Sequence, residues 1–493
     1  MKRLLRLILS RTSLILLLLL LQLSLVFVLV RYVSQYWYWN NILHVASVII
    51  VFYLIAKEEN PMYKLTWIIP ILIFPLFGGF FYLFYRRRNF SKKVIHEHLN
   101  IDLNRYDYVH EFDSPLKSKD ARYLESFNFP SYTHTETTFL GSGEALFEHL
   151  KRDLVQAKSY IFLEFFIINK GYMWDELLEI LKKKAKEGID IKIIYDDFGS
   201  SSLPYHYPKT LKKYGIEALQ FNPMRMHLNF AMNYRDHRKI VVIDGKIAYT
   251  GGSNIGDEYI NKISPFGHWL DAGIKIEGRA VYSFVLTFLE NYRFTKHKDI
   301  PYERYLVTYE RPTDGYVIPF SDTPLDKELT TKNMYVSLIM QAETSIDITT
   351  PYLIIDHELS TVLKLASKSG VKVRIIIPYV PDKKIIYMVT ESYVPDLLEA
   401  GIEVYHYTPG FIHSKMMIID QKKAMIGTAN LDFRSLYLHF ENSLYLDGTS
   451  SIKSMHHFFE ETIKSSHLID EMKKPNILYR LGQTILKGFS SLL

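Results

Sequence analysis

The hydrophobic pattern changes character about ninety residues into the chain. Before that point apolar side chains run in long blocks. The block 14–30 is broken only by Gln22 and Ser24, and 42–56 and 67–85 follow it. Blocks approaching about 20 residues predict two to three membrane-crossing helices. Arg31-Tyr32-Val33 follows the first block where a signal peptide would need small residues, so an anchor is expected. Trp37, Tyr38 and Trp39 lie between the first two blocks as interfacial anchors would. Lys2, Arg3, Arg6 and Arg11 precede the first block, and Arg86, Arg87, Arg88, Lys92 and Lys93 follow the third. Both clusters favour the cytoplasm, although three full crossings would separate them. The second is denser and flanks the large polar region. The expectation is a multi-pass protein of the cell membrane with that region cytoplasmic.

Beyond a polar connector at 91–132, short apolar runs alternate with amphipathic ones. A strand is predicted over 160–168, then a helix over 174–187 with Leu177, Leu178 and Leu181 on one side. Gly188 closes that helix, and a second strand covers 189–195. The order recurs as a strand at 345–353 and a helix at 359–368. Gly370-Val-Lys-Val-Arg-Ile-Ile-Ile then echoes Gly188-Ile-Asp-Ile-Lys-Ile-Ile-Tyr. This predicts a duplicated α/β fold, two mixed-sheet halves facing each other across a pseudo-two-fold axis. The domains read as a membrane module at 1–90, the connector at 91–132, halves at 133–310 and 311–474, and a tail at 475–493.

Each half contains one unusual stretch. The first, 234–254, reads YRDHRKIVVIDGKIAYTGGSN; the second contains IHSKMMIIDQKKAMIGTAN. His237 and Lys239 sit two apart, as do His413 and Lys415, and a strand would turn each pair to one face. Asp244 follows its histidine by seven residues and Asn254 by seventeen; Asp420 and Asn430 repeat both offsets. One such motif is weak evidence, and two with identical spacing exclude coincidence. Asp244-Gly245 is a two-residue hairpin signal, which casts Asp244 as a brace for the turn.

The chain has no cysteine, which removes disulfides, thiolate nucleophiles and cysteine-bound zinc. A net charge of +6 does not by itself call for nucleic acid, and 14% aromatic residues suits a lipid surface without requiring one. Two halves, each bringing an imidazole, an ammonium and an amide, would build a pocket suited to a phosphodiester. The lysines and Asn254 and Asn430 can stabilise charge on phosphoryl oxygens, while one imidazole attacks phosphorus and the other protonates the leaving oxygen. Such a site needs no metal or other cofactor. A histidine also needs a partner to fix its tautomer. Asp271 and Glu441 lie downstream of the two motifs at comparable distances and are candidates; the plainer reading makes them surface charges. The remaining histidines, His456-His457 among them, read as structural. No HExxH-like ligand pair occurs, so no zinc site is expected.

With these residues the chain resembles the phospholipase D superfamily, whose mark is the paired HxKxxxxD motif, and within it the bacterial cardiolipin synthases. The resemblance extends from about 42 to 493. It takes in Asn60-Pro61, Lys64, Trp67, Pro75 and Gly78 of the leader, Tyr195-Asp196, Gly199-Ser200, Thr350-Pro351-Tyr352 and GTANLDFRS. It implies that one phosphatidylglycerol is attacked at phosphorus, releasing glycerol and leaving a phosphatidyl-histidine, and that a second phosphatidylglycerol takes the group to give cardiolipin. His237 is then the nucleophile and His413 the general acid and base, while Asp244 and Asp420 are mainly structural. A phospholipase D-type hydrolase, or a transferase using another acceptor lipid, would use the same residues. The partners implied are phosphatidylglycerol and the bilayer, not nucleic acid, and the oligomeric state is left open.

Several positions depart from that family's pattern. Thr428 stands where serine is common, Leu270 replaces an arginine, His439 replaces an asparagine before Phe440-Glu441, and Phe165-Phe166 replaces paired tyrosines. Gly252 lacks a hydroxyl, as is usual in the first motif. In the tail, Leu478, Leu481, Ile485, Phe489 and Leu492 recur at helical spacing. That face could pack on the domain, or lie in the interface of an anionic membrane.

Overall fold

The computed structural model describes residues 37–58, 60–73, 92–110, 114–223, 233–470 and 476–492, with isolated positions at 112, at 79 and 82, and between 20 and 32. Most of the block 14–30 and much of 67–85 therefore lie outside the described residues, as do the two basic clusters up to Arg88. Two compact units emerge. The smaller is drawn from Met1–Val94, Pro223–Asn233 and Ile477–Leu493, the larger from Ile95–Asn222 and Tyr234–Asn476.

In the smaller unit, helices Trp37–Ala56 and Pro61–Ile73 pack on each other. Asn60 accepts from the Met62 amide and Pro61 opens the second helix, where its missing N–H costs nothing. Ile49, Phe52 and Ile55 stay exposed. Among the described residues no helix is long and apolar enough to cross a membrane. The tail forms the helix Ile477–Gly488, none of whose residues is buried. The Ser491 and Thr66 hydroxyls, 2.7 Å apart, tie the chain's end to the second of the hydrophobic helices.

The larger unit is built on two sheets. The first half supplies β1 (Thr135–Leu140), β2 (Tyr160–Phe165), β3 (Asp190–Asp196), β4 (Glu217–Phe221), β5 (Arg235–Asp236), β6 (Lys239–Ile243), β7 (Ile247–Gly251), β8 (His268–Leu270) and β9 (Gly273–Gly278). The second supplies β10 (Tyr316–Asp322), β11 (Ser345–Thr349), β12 (Lys372–Pro378), β13 (Glu403–Tyr407), β14 (Gly410–Ile412), β15 (Met416–Ile419), β16 (Lys423–Gly427), β17 (His439–Asp447) and β18 (Ser466–Leu468). The first sheet runs β1-β9-β7-β6-β2-β3-β4, and the second β10-β17-β16-β15-β11-β12-β13-β18. Apart from β18 the orders correspond strand for strand. β2, β3 and β4 run parallel, as do β11, β12 and β13, and the other neighbours in these two orders are antiparallel. The fold is mixed-sheet α/β, duplicated, as the repeated sequence order predicts.

Helices close both faces of the first sheet. Trp174, Leu177 and Leu181 of helix Tyr172–Lys186 pack into the core with Ile161, Leu163 and Ile191. On the other face Phe162 stacks on Phe288 of helix Val281–Lys296, their rings 4.4 Å apart. Burial on both faces explains why β2 is apolar at every position except Glu164 rather than alternating.

Three expectations need correcting. The first strand ends at Phe165 rather than 168, because the Ile167 amide donates to Asn254 Oδ1 and the Ile168 amide to Ser200 Oγ instead of to a neighbouring strand. The connector carries the helices Lys92–Val109 and Lys119–Glu125. The first is fixed by Arg105, buried, which meets Glu290 at 2.8 Å and Thr287 at 3.0 Å. The hairpin β6–β7 has a three-residue turn, with Ile243 opposite Ile247 and positive φ at Asp244 (55°) and Gly245 (66°). β15–β16 repeats it, with φ of 52° and 54° at Asp420 and Gln421. Aspartate and glycine tolerate that left-handed conformation better than most residues.

Candidate active site

The two motifs meet where the halves exchange short strands. β5 pairs parallel with the start of β17, and the His237 amide extends the pairing by donating to Phe440 O at 2.9 Å. β14 pairs parallel with β8, and the His413 amide donates to Leu270 O at 2.7 Å. Each pairing places a histidine beside a carboxylate of the partner strand: Glu441 on β17, and Asp271 just past the end of β8. His237 Nδ1 lies 2.9 and 3.0 Å from the two Glu441 oxygens, and His413 Nδ1 lies 2.7 Å from Asp271 Oδ2. The carboxylates therefore cross over, each serving the histidine of the other half. This reciprocity is what a two-fold relation between the halves requires.

The histidines precede strands β6 and β15 rather than lying on them; Lys239 opens β6, and Lys415 stands one residue ahead of β15. Lys239 Nζ donates to His237 O at 2.6 Å, and Lys415 Nζ donates to His413 O. All four side chains are buried, as are Asp271 and Glu441. Burial pushes Lys239 down to about 8 and Lys415 down to about 7, with Glu441 and Asp271 opposing. Burial likewise lowers His237 well below its ordinary value, and His413 to about 4. Burial alone would raise Glu441 and Asp271, but their histidines hold both carboxylates below the usual range. The field of Lys239 reaches both His413 and Lys415, so the motifs share one electrostatic environment.

A carboxylate can only accept, so each Nδ1 carries the proton and each Nε2 keeps its lone pair. Two neutral imidazoles and two lysines with lowered proton affinity make a site ready for an anion. A bound phosphodiester would raise the proton affinity of every one of them.

Asp244 and Asp420 lie away from this centre. Asp244 accepts from the amides of Lys158, Ser159 and Tyr160 at 2.7–3.0 Å, and Asp420 from those of Glu343, Thr344 and Ser345 at 2.7–2.9 Å. Each ties its turn to the first residues of the adjacent strand. Asn254 donates to Tyr259 OH at 2.9 Å while accepting from Ile167; Asn430 donates to Asp432 at 3.0 Å. Thr428 donates to Glu441 Oε2 at 2.5 Å and accepts from the Asn442 amide at 3.0 Å. At Gly252, the matching position, a Cβ would fall 2.1 Å from Asp271 Oδ1, so the hydroxyl seen in one half has no room in the other.

Some participants carry no motif. Asn442 accepts from the Lys239 amide at 3.2 Å and donates to Thr250 Oγ1 at 2.7 Å, joining the halves beneath the lysine. His439 brings a third imidazole, its ring centre 5.3 Å from that of His237. Phe166 lies edge-on to His237, and Tyr259 and Trp269 flank His413. Only the place of Asn442 and His439 beside Glu441 in sequence could have pointed to them.

The profile of the family described as cardiolipin synthase, PLD-like domain, matches 150–270 and 335–463, and that of the phospholipase D-nuclease N-terminal family matches 43–87. A protein of Streptococcus mutans, described as uncharacterized, is 39% identical over 90% of this chain and 99% of its own length. A cardiolipin synthase of a Geobacillus species is 36% identical over 87% of this chain and 88% of its own, and one from Halalkalibacterium halodurans 33% over 92% and 93%. A crystal structure of Haemophilus influenzae phosphatidylserine synthase shares the fold, with a TM-score of 0.58 at 16% identity over 76% of this chain and 98% of that one. The chain belongs to the bacterial cardiolipin synthase family of the phospholipase D superfamily. It is a phosphatidyltransferase of phospholipid biosynthesis.

Proposed function

We propose that this phosphatidyltransferase moves a phosphatidyl group from one phosphatidylglycerol to another, giving cardiolipin and glycerol. The observation that carries the reading is the pair of buried imidazoles, each with Nδ1 on a carboxylate of the opposite half and Nε2 free. His237 Nε2 attacks phosphorus and the bond to the glycerol oxygen breaks, while His413, which takes up a proton once the anionic phosphodiester is bound, delivers it to that oxygen. His413 then takes the proton from a hydroxyl of the incoming phosphatidylglycerol, whose oxygen attacks phosphorus and expels His237. Lys239 and Lys415 hold the phosphoryl oxygens through both steps. Purified protein in micelles with phosphatidylglycerol alone should release glycerol and cardiolipin in equal amounts. Phosphatidic acid as the sole lipid product would establish a hydrolase instead, and replacement of either His237 or His413 by alanine should stop turnover.

The smaller unit and the tail are the membrane-binding parts in this reading, and the larger unit is placed in the cytoplasm. On the tail helix Ile477, Leu478, Leu481 and Ile485 are 82, 75, 57 and 53% exposed, with Arg480 and Lys487 on the same short segment. An exposed apolar face beside cationic residues suits an anionic lipid surface. Leu481→Ser with Ile485→Ser should weaken flotation with phosphatidylglycerol vesicles; unchanged flotation would show that the tail is not a lipid contact.

A further inference from the structure

His439 is not used by the reaction above, yet it is buried, 9% exposed, with its ring against that of the reacting histidine. Its Nδ1 is enclosed and makes no hydrogen bond. The atom lies 3.5 Å from Glu441 Oε1, the oxygen that His237 Nδ1 meets at 2.9 Å. One ligand atom from each of His237, His439 and Glu441 falls within 4.8 Å of the other two. Two imidazole nitrogens and a carboxylate are the donor set of many open zinc sites, and ligand atoms about 2.1 Å from zinc stand roughly 3.4 Å apart in a tetrahedron. No sequence pattern announces the set, because its members come from both halves.

We propose that His237, His439 and Glu441 form a site for a zinc-like divalent ion, and that occupying it switches the enzyme off. The chemistry is a competition for one lone pair. In the working state Nδ1 of His237 bears the proton held by Glu441, and Nε2 is free to attack. An ion bound at Nδ1 displaces that proton, so the neutral ring carries its hydrogen on Nε2, where no lone pair remains for phosphorus. The ion binds as the proton leaves Nδ1, and bond formation to phosphorus at Nε2 is blocked until the ion departs. A second acid–histidine group, Asp347, His456 and Glu460, is already filled: Arg374 contacts both carboxylates, at 2.7 and 2.8 Å. The asparagine that the family pattern carries at 439 would offer only a weak amide oxygen.

The binding claim stands without any reading of the reaction; the inhibition rests on His237 being a reacting group. Zinc binding is therefore measured by equilibrium dialysis on full-length protein in micelles, and phosphatidyl transfer is measured in parallel. Wild-type protein should bind one ion at this site and lose activity reversibly, with recovery on adding a chelator. His439→Asn should raise both the dissociation constant and the half-inhibitory concentration at least tenfold, relative to its own zinc-free rate. His439→Phe, which fills the space without a ligand, should do the same, and His456→Ala should change neither. Equal zinc binding by wild type and both position-439 variants overturns the site. Loss of binding in those variants with inhibition unchanged overturns the switch. Binding without inhibition in the wild type also overturns the switch and leaves the binding site standing; loss of transfer in His237→Ala then tells whether His237 is a reacting group.

Discussion

The crossed carboxylates make an unequal prediction for two conservative variants. Asp271→Asn removes the charge beside His413, and Glu441→Gln removes it beside His237, each preserving an acceptor. An imidazolium and a carboxylate in contact at 2.7 Å have charge centres roughly 4 Å apart, worth about 4 kcal/mol at an effective permittivity near 20. The amide keeps a neutral hydrogen bond of about 1 kcal/mol, leaving a loss of about 3 kcal/mol, or roughly a hundredfold in rate. Both variants should lose about that much turnover on phosphatidylglycerol, so turnover alone does not separate them. A phosphatidyl p-nitrophenol substrate does, because its leaving group needs no proton. Asp271→Asn should then release a near-normal first burst of nitrophenolate and stall, since only the acid–base histidine is impaired. Glu441→Gln should slow the burst itself by about the same hundredfold. If Asp271→Asn abolished the burst and Glu441→Gln kept it, either the histidine roles or the pairing would be reversed, and the argument from geometry would fail.

Activity should also depend on pH through the lysines. Each lysine is cationic below its own value, about 8 for Lys239 and about 7 for Lys415, and loses its hold on the anionic phosphodiester above it. Hence kcat/KM should fall as pH rises through about 7 to 8, while kcat holds further because bound substrate keeps the lysines charged. A flat kcat/KM up to pH 9 would refute this. Thr428→Val strands the Glu441 oxygen and the Asn442 amide, and should cost about 1–3 kcal/mol in transition-state stabilisation, whereas Thr428→Ser should be near wild type. Steady-state rates on both variants test the difference. Asp244→Ala and Asp420→Ala each orphan three amides at partly exposed positions and should destabilise by about 1–3 kcal/mol in thermal unfolding. The activity of the protein that remains folded should be largely kept.

The duplication was readable because identical offsets and echoed strand sequences survive in both copies, and the strand orders follow that correspondence. Largely apolar runs such as Tyr160–Phe165, broken only by Glu164, also located the buried strands well, though not where they end. The end of β2 depends on Asn254 and Ser200, which are distant in sequence and capture its last amides. The same distance hid the site's wiring. Asp271 and Glu441 could be picked out as carboxylates of equivalent position, but spacing along the chain says nothing about which histidine each would meet. The role of Asn442 was likewise invisible, since it acts on Lys239 only after the halves associate. The helix Lys92–Val109 reads as connector in the sequence because its polar residues dominate; the buried Arg105 paired with Glu290 ties it to the first half.

The 204 residues between His237 and the carboxylate that sets its tautomer impose an order in time. A chain made from its N-terminus folds its first half before its second exists. Through that interval His237 has no Glu441 to fix its proton and no β17 to hold its backbone. The half that emerges first therefore lacks the acceptor that sets the proton of His237 on Nδ1. The pairing forms only when synthesis has passed residue 441 and both halves have closed, so a chain that stops short of that point lacks it.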